Sequence, residues 1–212
     1  MGTEFIDLFD QWADSYDATV EGQNDEYREV FRNYSDILKS VADKVSGKVI
    51  EFGSGTGNLT ALLLARTTDV TGVEPSREMR RQAAKKWPEA KIVAGDFFQF
   101  PDDRESIDAF VSSYAFHHLT DDEKRKAVQL YASLLEKDGK VVFADTMFVD
   151  EHHHQQMIRK AEENHYVHLA EDLQTEYYTT IPKLKRMFEN EGFEVNFSSL
   201  NQYVWILEAI KL

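Results

Sequence analysis

Three glycines at alternate positions, Gly53, Gly55 and Gly57, follow the apolar run Val49-Ile50-Glu51-Phe52 and precede Asn58-Leu59-Thr60. The order reads as buried strand, glycine turn and helix, which is the layout of a nucleotide-binding edge. Glycines tolerate backbone conformations that a β-carbon penalises, and they leave bare peptide for a ligand to lie against. Dinucleotide-binding turns use G-x-G-x-x-G, whose third glycine draws the helix close to the strand while a pyrophosphate sits at the helix N-terminus. This chain has G-x-G-x-G instead. Further polar residues stand where later apolar runs end. Glu74-Pro75 follows one run, Gly95-Asp96-Phe97 another, and Ser113-Tyr114-Ala115-Phe116-His117-His118 a third. An acid at the place of Glu74 can accept two charge-assisted hydrogen bonds from the vicinal hydroxyls of a ribose. The same acid opening a helix would simply favour the macrodipole.

The elements that must hold these groups alternate along the chain. Strands are expected over Lys48–Phe52, Asp69–Val73, Lys91–Ala94, Ile107–Ser113 and Lys140–Asp145, the last after an Asp138-Gly139 turn. Helices are expected over Asn58–Arg66, from an N-cap at Ser76 through Lys86, and over Asp121–Leu135. This alternation predicts an α/β fold with a doubly wound, mostly parallel sheet whose ligands bind beyond the carboxyl ends of the strands. Residues 1–46 carry apolar and aromatic side chains at helical spacing (Phe5, Leu8, Phe9, Trp12, then Tyr27, Val30, Phe31, Tyr34, Ile37, Leu38) and predict two or three capping helices. Residues 47–150 form the ligand-binding core, and residues 151–180 a helical lid insert, with the helix itself over Glu151–Thr175. Residues 181–212 read as a last helix, Ile181–Glu191, and a hairpin of Phe193–Ser199 with Tyr203–Ile210 around Asn201-Gln202. One domain is expected, without repeats or linker.

The string Glu51-Phe52-Gly53-Ser54-Gly55-Thr56-Gly57-Asn58 resembles the first motif of class I S-adenosylmethionine-dependent methyltransferases, and the likeness extends over Lys48 to Asp145. It implies a Rossmann-like sheet of seven strands with the last one antiparallel, and S-adenosylmethionine as the cofactor, leaving as S-adenosylhomocysteine. It assigns Gly53, Ser54, Gly55 and Gly57 to the cofactor turn and has Glu51 orient that turn near the methionine ammonium. Glu74, with Pro75 beside it, takes the ribose. Asp96 accepts from the adenine amino group, while Met79 and Phe97 sandwich the ring; ordinary core packing explains those two apolar residues equally well. Phe9 to Asp17 resembles the F-x-x-x-A-x-x-Y-D element of small-molecule methyltransferases, which brings Tyr16 to the methionine carboxylate from a lid.

Ser113 ends the fourth strand at the cofactor, and Tyr114, Tyr177 and Tyr178 are expected in the acceptor pocket, with Tyr27, His165 and His168 as further lining. The Phe116-His117-His118-Leu119 ending resembles ubiquinone-biosynthesis-like and related small-molecule branches. His117 or His118 would serve as general base, since histidine titrates nearest neutrality; either would also serve as a structural cap. The DNA amino-methyltransferases carry an Asp/Asn/Ser-Pro-Pro-aromatic motif at this point, and its prolines are missing here.

No metal is expected. Successive residues on a helix point about 100° apart, so His152-His153-His154 cannot all face one ion, and no Asp-Asn pair follows the fifth strand. The formal net charge of -14 over 212 residues would repel a phosphate backbone, so nucleic acid is not expected as a partner. The absence of cysteine removes disulfides and thiolate chemistry. The acidic start has no basic region followed by an apolar run, and no stretch reaches membrane-spanning length, so a cytoplasmic enzyme acting on a small-molecule acceptor is expected, with no membrane partner. Length and composition leave the oligomeric state open. The start of the chain and its Asn201-Gln202-Tyr203-Val204-Trp205 ending resemble a group of uncharacterised bacillar small-molecule methyltransferases. Two other readings stand beside this one. A silent S-adenosylmethionine or S-adenosylhomocysteine sensor would use the same turn, whereas an NAD-dependent oxidoreductase is disfavoured by the glycine spacing and by the lack of a Tyr-x-x-x-Lys pair.

Overall fold

The computed structural model describes residues 9–10, 12–67, 69–101 and 106–212. Strands β1 (Val49–Phe52), β2 (Val70–Val73), β3 (Ile92–Val93), β4 (Ile107–Ser113), β5 (Leu135–Thr146), β6 (Phe193–Ser199) and β7 (Val204–Lys211) form a single sheet in the order β3-β2-β1-β4-β5-β7-β6. β1 pairs in parallel with both β2 and β4, and β7 runs antiparallel between β5 and β6. The order reverses between β1 and β4, and that switch point opens a crevice at the carboxyl ends of the strands. β1 and β2 are buried along their whole length, so they read as continuous apolar runs and not as alternations.

Helices α1 (Tyr34–Ala42), α2 (Asn58–Leu64), α3 (Arg77–Lys86), α4 (Asp121–Leu134), α5 (Glu151–Glu163), α6 (Val167–Thr175) and α7 (Ile181–Asn190) flank the sheet. Their starts are written in the sequence. Ser76 caps α3 by accepting from the Met79 amide at 3.1 Å, and Thr120 with Glu123 forms a reciprocal capping box on α4. Two apolar cores result, one on each face. On one face, α1, α2, α5 and α6 pack over β1, β4, β5 and β7 through Leu38, Leu59, Val111, Val142, Leu169 and Ile206. The other is aromatic, with Phe52 stacked on Phe110 and Tyr131 at centroid distances of 5.6 and 5.3 Å. No helix among the described residues is long and apolar enough to cross a membrane.

Several expected boundaries move. β5 begins at Leu135, directly after α4, because the expected Asp138-Gly139 turn is absorbed into the strand as an irregularity. Asp138 takes φ 69, and pairing jumps from Ile107 with Leu135 to Ala109 with Lys140. The single helix expected over Glu151–Thr175 is two helices, separated where His165 adopts φ 59 and the Tyr166 amide donates back to Ala161. The N-terminal pattern yields less helix than its spacing suggests. Tyr16–Ala18 runs into a π-helical turn, Thr19–Gln23, with Gly22 at φ 88, and Tyr27, Val30 and Phe31 lie in consecutive turns that end at Asn33, φ 63. Phe5 and Leu8 lie outside the described residues.

Asn201 then ties this irregular cap to the sheet. Its buried amide donates to the carbonyls of Val30 and Arg32 at 2.9 and 3.0 Å, and its carbonyl accepts from the amides of Tyr203 and Val204 at 2.8 and 2.7 Å. All of its polar capacity is used, so one side chain fixes both the β6–β7 turn and the chain that crosses above it.

Candidate active site

The crevice holds two adjoining cavities. The walls of the first include Gly53, Gly55, Glu74, Asp96, Phe97 and Ser113. Tyr16, Pro75, Met79, Tyr114 and His118 complete much of the lining, with Phe9, Ala115 and Leu119. Glu51, Ser54 and Gly57 are not on this wall. Glu51 is buried beneath the glycine turn, where its Oε2 accepts from the Thr60 hydroxyl at 2.5 Å. Ser54 lies against Gly72, where a β-carbon would come within 3.0 Å of its hydroxyl oxygen. Gly57 is the N-cap residue of α2.

The turn needs glycine for two different reasons. At Gly53, φ is 62 and a β-carbon would meet that of Ala115 at 2.5 Å, so the residue permits close approach of β1 to the loop after β4. At Gly55, φ is 54 and nothing lies within 4 Å of the position a β-carbon would take. There the space is open, which is what a ligand lying on bare peptide requires.

Glu74 anchors the turn in addition to facing the cavity. Its Oε2 accepts from the Gly55 amide at 2.9 Å and its Oε1 from the Ser76 amide at 2.8 Å. Burial outweighs these bonds and lifts its carboxyl to about 7, while burial and the charge of Glu74 lift that of Glu51 to about 8. Two acids therefore share a buried edge that has no cation fully neutralising it. Asp96 uses one oxygen within its own turn, accepting from the amides of Phe98 and Gln99 at 2.7 and 3.0 Å. Phe97 packs on Phe52 at 5.1 Å, and its carbonyl accepts from the Tyr131 hydroxyl. Phe97 thus packs in the core and also lines the cavity, and Met79 is likewise buried while lining it.

The N-terminal segment closes over this edge through its acids. Asp17 accepts from Thr56 at 2.7 Å, from Asn58 at 3.0 Å and from Lys86 at 2.6 Å, so it joins the glycine turn to the end of α3. Asp10 accepts from the Ser76 hydroxyl and from the Glu78 amide. Neither acid was singled out in the sequence. The signal for Asp17 was present, as the residue that follows Tyr16 in the Y-D element.

The second cavity shares Phe9, Tyr16, Tyr114 and His118 with the first. Its far wall comes from the insert and the cap, including Tyr27, Phe31, Asp172, Glu176 and Tyr178. His117 is clamped. Its Nδ1 lies 2.6 Å from Asp145 Oδ1, its backbone amide donates to Asp145 Oδ2 at 2.9 Å, and its Nε2 lies 3.3 Å from Glu176 Oε2. Tyr178 donates to the same Glu176 oxygen at 2.6 Å and stacks on the His117 ring at 5.0 Å. Burial works against the imidazolium, but the carboxylates on its two sides overcome it and raise His117 well above the usual histidine range. Burial would likewise raise Glu176, and the His117 charge lowers it instead. His118 moves the other way, since burial and the neighbouring imidazolium both favour its neutral form. Adjacent histidines thus take opposite protonation states.

His165 and Tyr177 do not join these walls. Tyr177 is 37% exposed, and its carbonyl serves instead as an acceptor for the buried Lys124, which also donates to Leu119. That bond holds the chain on which Glu176 and Tyr178 ride. His168 is on the surface with Glu26. Asp172 and Glu176 lay within the expected insert but carried no motif; their i, i+4 spacing on an acidic helix end is the only trace of them in the sequence. His117, His118 and Glu176 offer one ligand atom each within 4.8 Å of one another, the described group that could hold a metal ion. Of these, His117 Nε2 and Glu176 Oε2 are already engaged with one another.

A crevice at the switch point of a mostly parallel sheet, with a glycine turn, a buried acid after the second strand and a second chamber beyond the fourth, places the fold in the Rossmann-like class. Residues 25–196 match the methyltransferase domain family, and the chain belongs to that family. It is 53% identical over 211 residues to an uncharacterized methyltransferase of Bacillus pumilus, covering 100% of this chain and 99% of that one. It is 50% identical to one of Anoxybacillus flavithermus, covering 100% of both. Among solved structures, magnesium protoporphyrin IX methyltransferase from Synechocystis with bound S-adenosylhomocysteine superposes with a TM-score of 0.75 at 17% identity, over 100% of each chain. That likeness is one of fold.

Proposed function

We propose that the chain transfers the methyl group of S-adenosylmethionine to a small-molecule acceptor seated in the second cavity. The observation that carries this reading is the shared wall. Phe9, Tyr16, Tyr114 and His118 border both cavities, so a donor methyl in the first faces an acceptor atom in the second. The first cavity fits the cofactor in its parts. Gly55 leaves bare peptide, Glu74 presents a carboxylate for the ribose hydroxyls, Asp96 an acceptor for the adenine amino group, and Met79 and Phe97 apolar surfaces for the ring. Tyr16 and the glycine turn are left for the methionine end, with Glu51 acting through the turn from beneath.

The cofactor supplies an electrophilic methyl on a sulfonium. What the chain contributes is alignment and dryness, because in-line displacement needs the nucleophile, carbon and sulfur held near one line with water excluded. The Tyr114 backbone, at φ 53 with its amide on the Ala144 carbonyl, sets the wall between the two chambers. His118, held neutral, presents an uncharged ring at that boundary, while His117 is committed to Asp145 and Glu176. Of the two histidines, His118 is therefore the one in a form that can accept a proton, and His117 is not. One domain does this, with residues 47–150 for the cofactor, residues 1–46 and 151–180 for closure, and residues 181–212 completing the sheet; a cytoplasmic location suits such a reaction.

Calorimetry on cofactor-stripped protein with S-adenosylmethionine, S-adenosylhomocysteine and NAD in parallel tests the proposal. Micromolar binding of the first two with none of NAD is expected, and NAD binding alone, or no binding, would overturn it.

A further inference from the structure

We infer that the acceptor carries its reacting atom as an amine that arrives as an ammonium, held by Asp172 and Glu176 against the aromatic faces of the second cavity. This deepens the methyltransferase reading and rests on it.

The inference comes from charge and surface together. Two carboxylates, Asp172 and Glu176, reach the cavity, and no Lys or Arg lines it among the described residues. The nearby buried Lys124 is turned away, its ammonium spent on the carbonyls of Leu119 and Tyr177. His117 supplies one positive charge to the two carboxylates that flank it, Asp145 and Glu176, and so leaves that trio net negative. Asp172 adds to the deficit. Tyr27 donates to its Oδ2, and no hydrogen bond to Oδ1 is formed among the described residues. Around these acids stand Tyr27, Phe31, Tyr114 and Tyr178. Aromatic faces attract a cation through their quadrupoles, and more strongly where water is excluded. An anionic acceptor such as a carboxylate or phenolate would meet net repulsion here, since the one positive charge on the wall, that of His117, is already outnumbered by carboxylates.

The direction of charge movement agrees. The bound ammonium releases a proton to Asp172 Oδ1, and the nitrogen lone pair then forms a bond to the methyl carbon. The carbon–sulfur bond breaks with its electron pair kept by sulfur, leaving a neutral thioether and an N-methylammonium product. Positive charge therefore passes from the first cavity into the second as the reaction proceeds. A chamber of net negative charge stabilises the transition state more than the ground state, which is the condition for faster chemistry. Burial, together with Glu176 nearby, raises the Asp172 carboxyl to about 6, despite the Tyr27 bond, and so fits it to receive a proton near neutrality.

The test uses the protein saturated with S-adenosylhomocysteine and three probes of one shape and different charge: phenethylamine, 2-phenylethanol and phenylacetate. Calorimetry should show the amine binding at least tenfold more tightly than the alcohol or the acid. Asp172→Asn should reduce that preference to less than threefold, with S-adenosylhomocysteine affinity unchanged within twofold. Binding of the S-adenosylhomocysteine without any preference for the amine, including the case in which no probe binds, would overturn the inference while leaving the cofactor reading intact. Failure of S-adenosylhomocysteine itself to bind would overturn the cofactor reading, and the two failures are distinguished by the first titration. Should Asp172→Asn melt early, the comparison of the three probes on the unaltered chain decides alone.

Discussion

The two cavities meet at one wall and are built in opposite ways. The cofactor side is largely a product of backbone: Gly53 and Gly55 share one turn after β1, and Glu74, Asp96, Phe97 and Ser113 stand at or just beyond the ends of β2, β3 and β4. The acceptor side is a product of side chains gathered from far apart. Tyr27 reaches Asp172 across 145 positions, and His117 joins Asp145 across 28. They also treat charge differently. On the cofactor side Glu51 and Glu74 are buried with their carboxyls raised, whereas on the acceptor side His117 compensates the carboxylates that flank it. The first arrangement is an uncompensated edge of two acids that burial holds toward their neutral forms, and the second is a paired frame, still net negative, with one acid, Asp172, left to work.

The largest expected break in this division is Gly55→Val. The empty space at Gly55 means that nothing in the protein opposes the new side chain, so the damage falls on the ligand and on a φ of 54 that a β-branched residue resists. The positive-φ strain costs about 1–2 kcal/mol of stability in the free and the bound chain alike, and the occupied ligand space is what lowers affinity. S-adenosylhomocysteine affinity measured by calorimetry should therefore fall by at least two orders of magnitude, roughly 3 kcal/mol. Far-ultraviolet circular dichroism should be unchanged. Retained affinity would place the ligand elsewhere.

Glu74→Ala should cost less, about 1.5–3 kcal/mol of cofactor affinity, the range for hydrogen bonds to a charged group. The structure adds a second consequence, because the substitution also strips the Gly55 and Ser76 amides of their acceptor. Thermal melting of the cofactor-free variant should drop with the affinity, and Glu74→Gln, which keeps one acceptor oxygen, should recover part of both. Affinity lost equally in the glutamine and alanine variants would mean that the negative charge, and not the hydrogen-bond geometry, is what the ribose needs.

The same contrast explains how far the sequence could be read. The order of elements from β1 to β4, the capping residue Ser76 and the hairpin around Asn201 all follow from local chemistry, and each is where that chemistry puts it. Glu74, Asp96 and Phe97 were legible because each ends a strand, and strand ends converge whatever the helices do. The acceptor wall had no such rule. Tyr27 and Phe31 stand at helical spacing, yet Asn33 in the left-handed region breaks the helix and turns them over the crevice. Tyr177 and Tyr178 are adjacent and chemically alike. Lys124 takes the carbonyl of the first, leaving its ring partly exposed, while the ring of the second stacks on His117. A buried lysine in the midst of α4 carries no sequence mark of that task.

The smallest of these effects is the most specific to the cofactor side. Glu51 has its carboxyl at about 8 in the folded chain against 4.5 as the ordinary value, with burial as the main cause and the charge of Glu74 added to it. Between those two pH values the folded state holds a proton that the unfolded state has released. Stability therefore falls as pH rises above about 4.5, and the loss is complete above about 8. Glu51→Gln removes the titrating group while keeping an acceptor for the Thr60 hydroxyl. At pH 3.5 Glu51 is mostly neutral in the folded and the unfolded chain alike, and the melting temperatures of the cofactor-free proteins should coincide. At pH 8.5 the variant should be the more stable by about 1 kcal/mol, the net worth of one hydrogen bond against an ionised, desolvated carboxyl. An equal gap at both pH values would mean that Glu51 is ionised throughout, and the uncompensated edge that sets the cofactor side apart from the paired acceptor side would not exist.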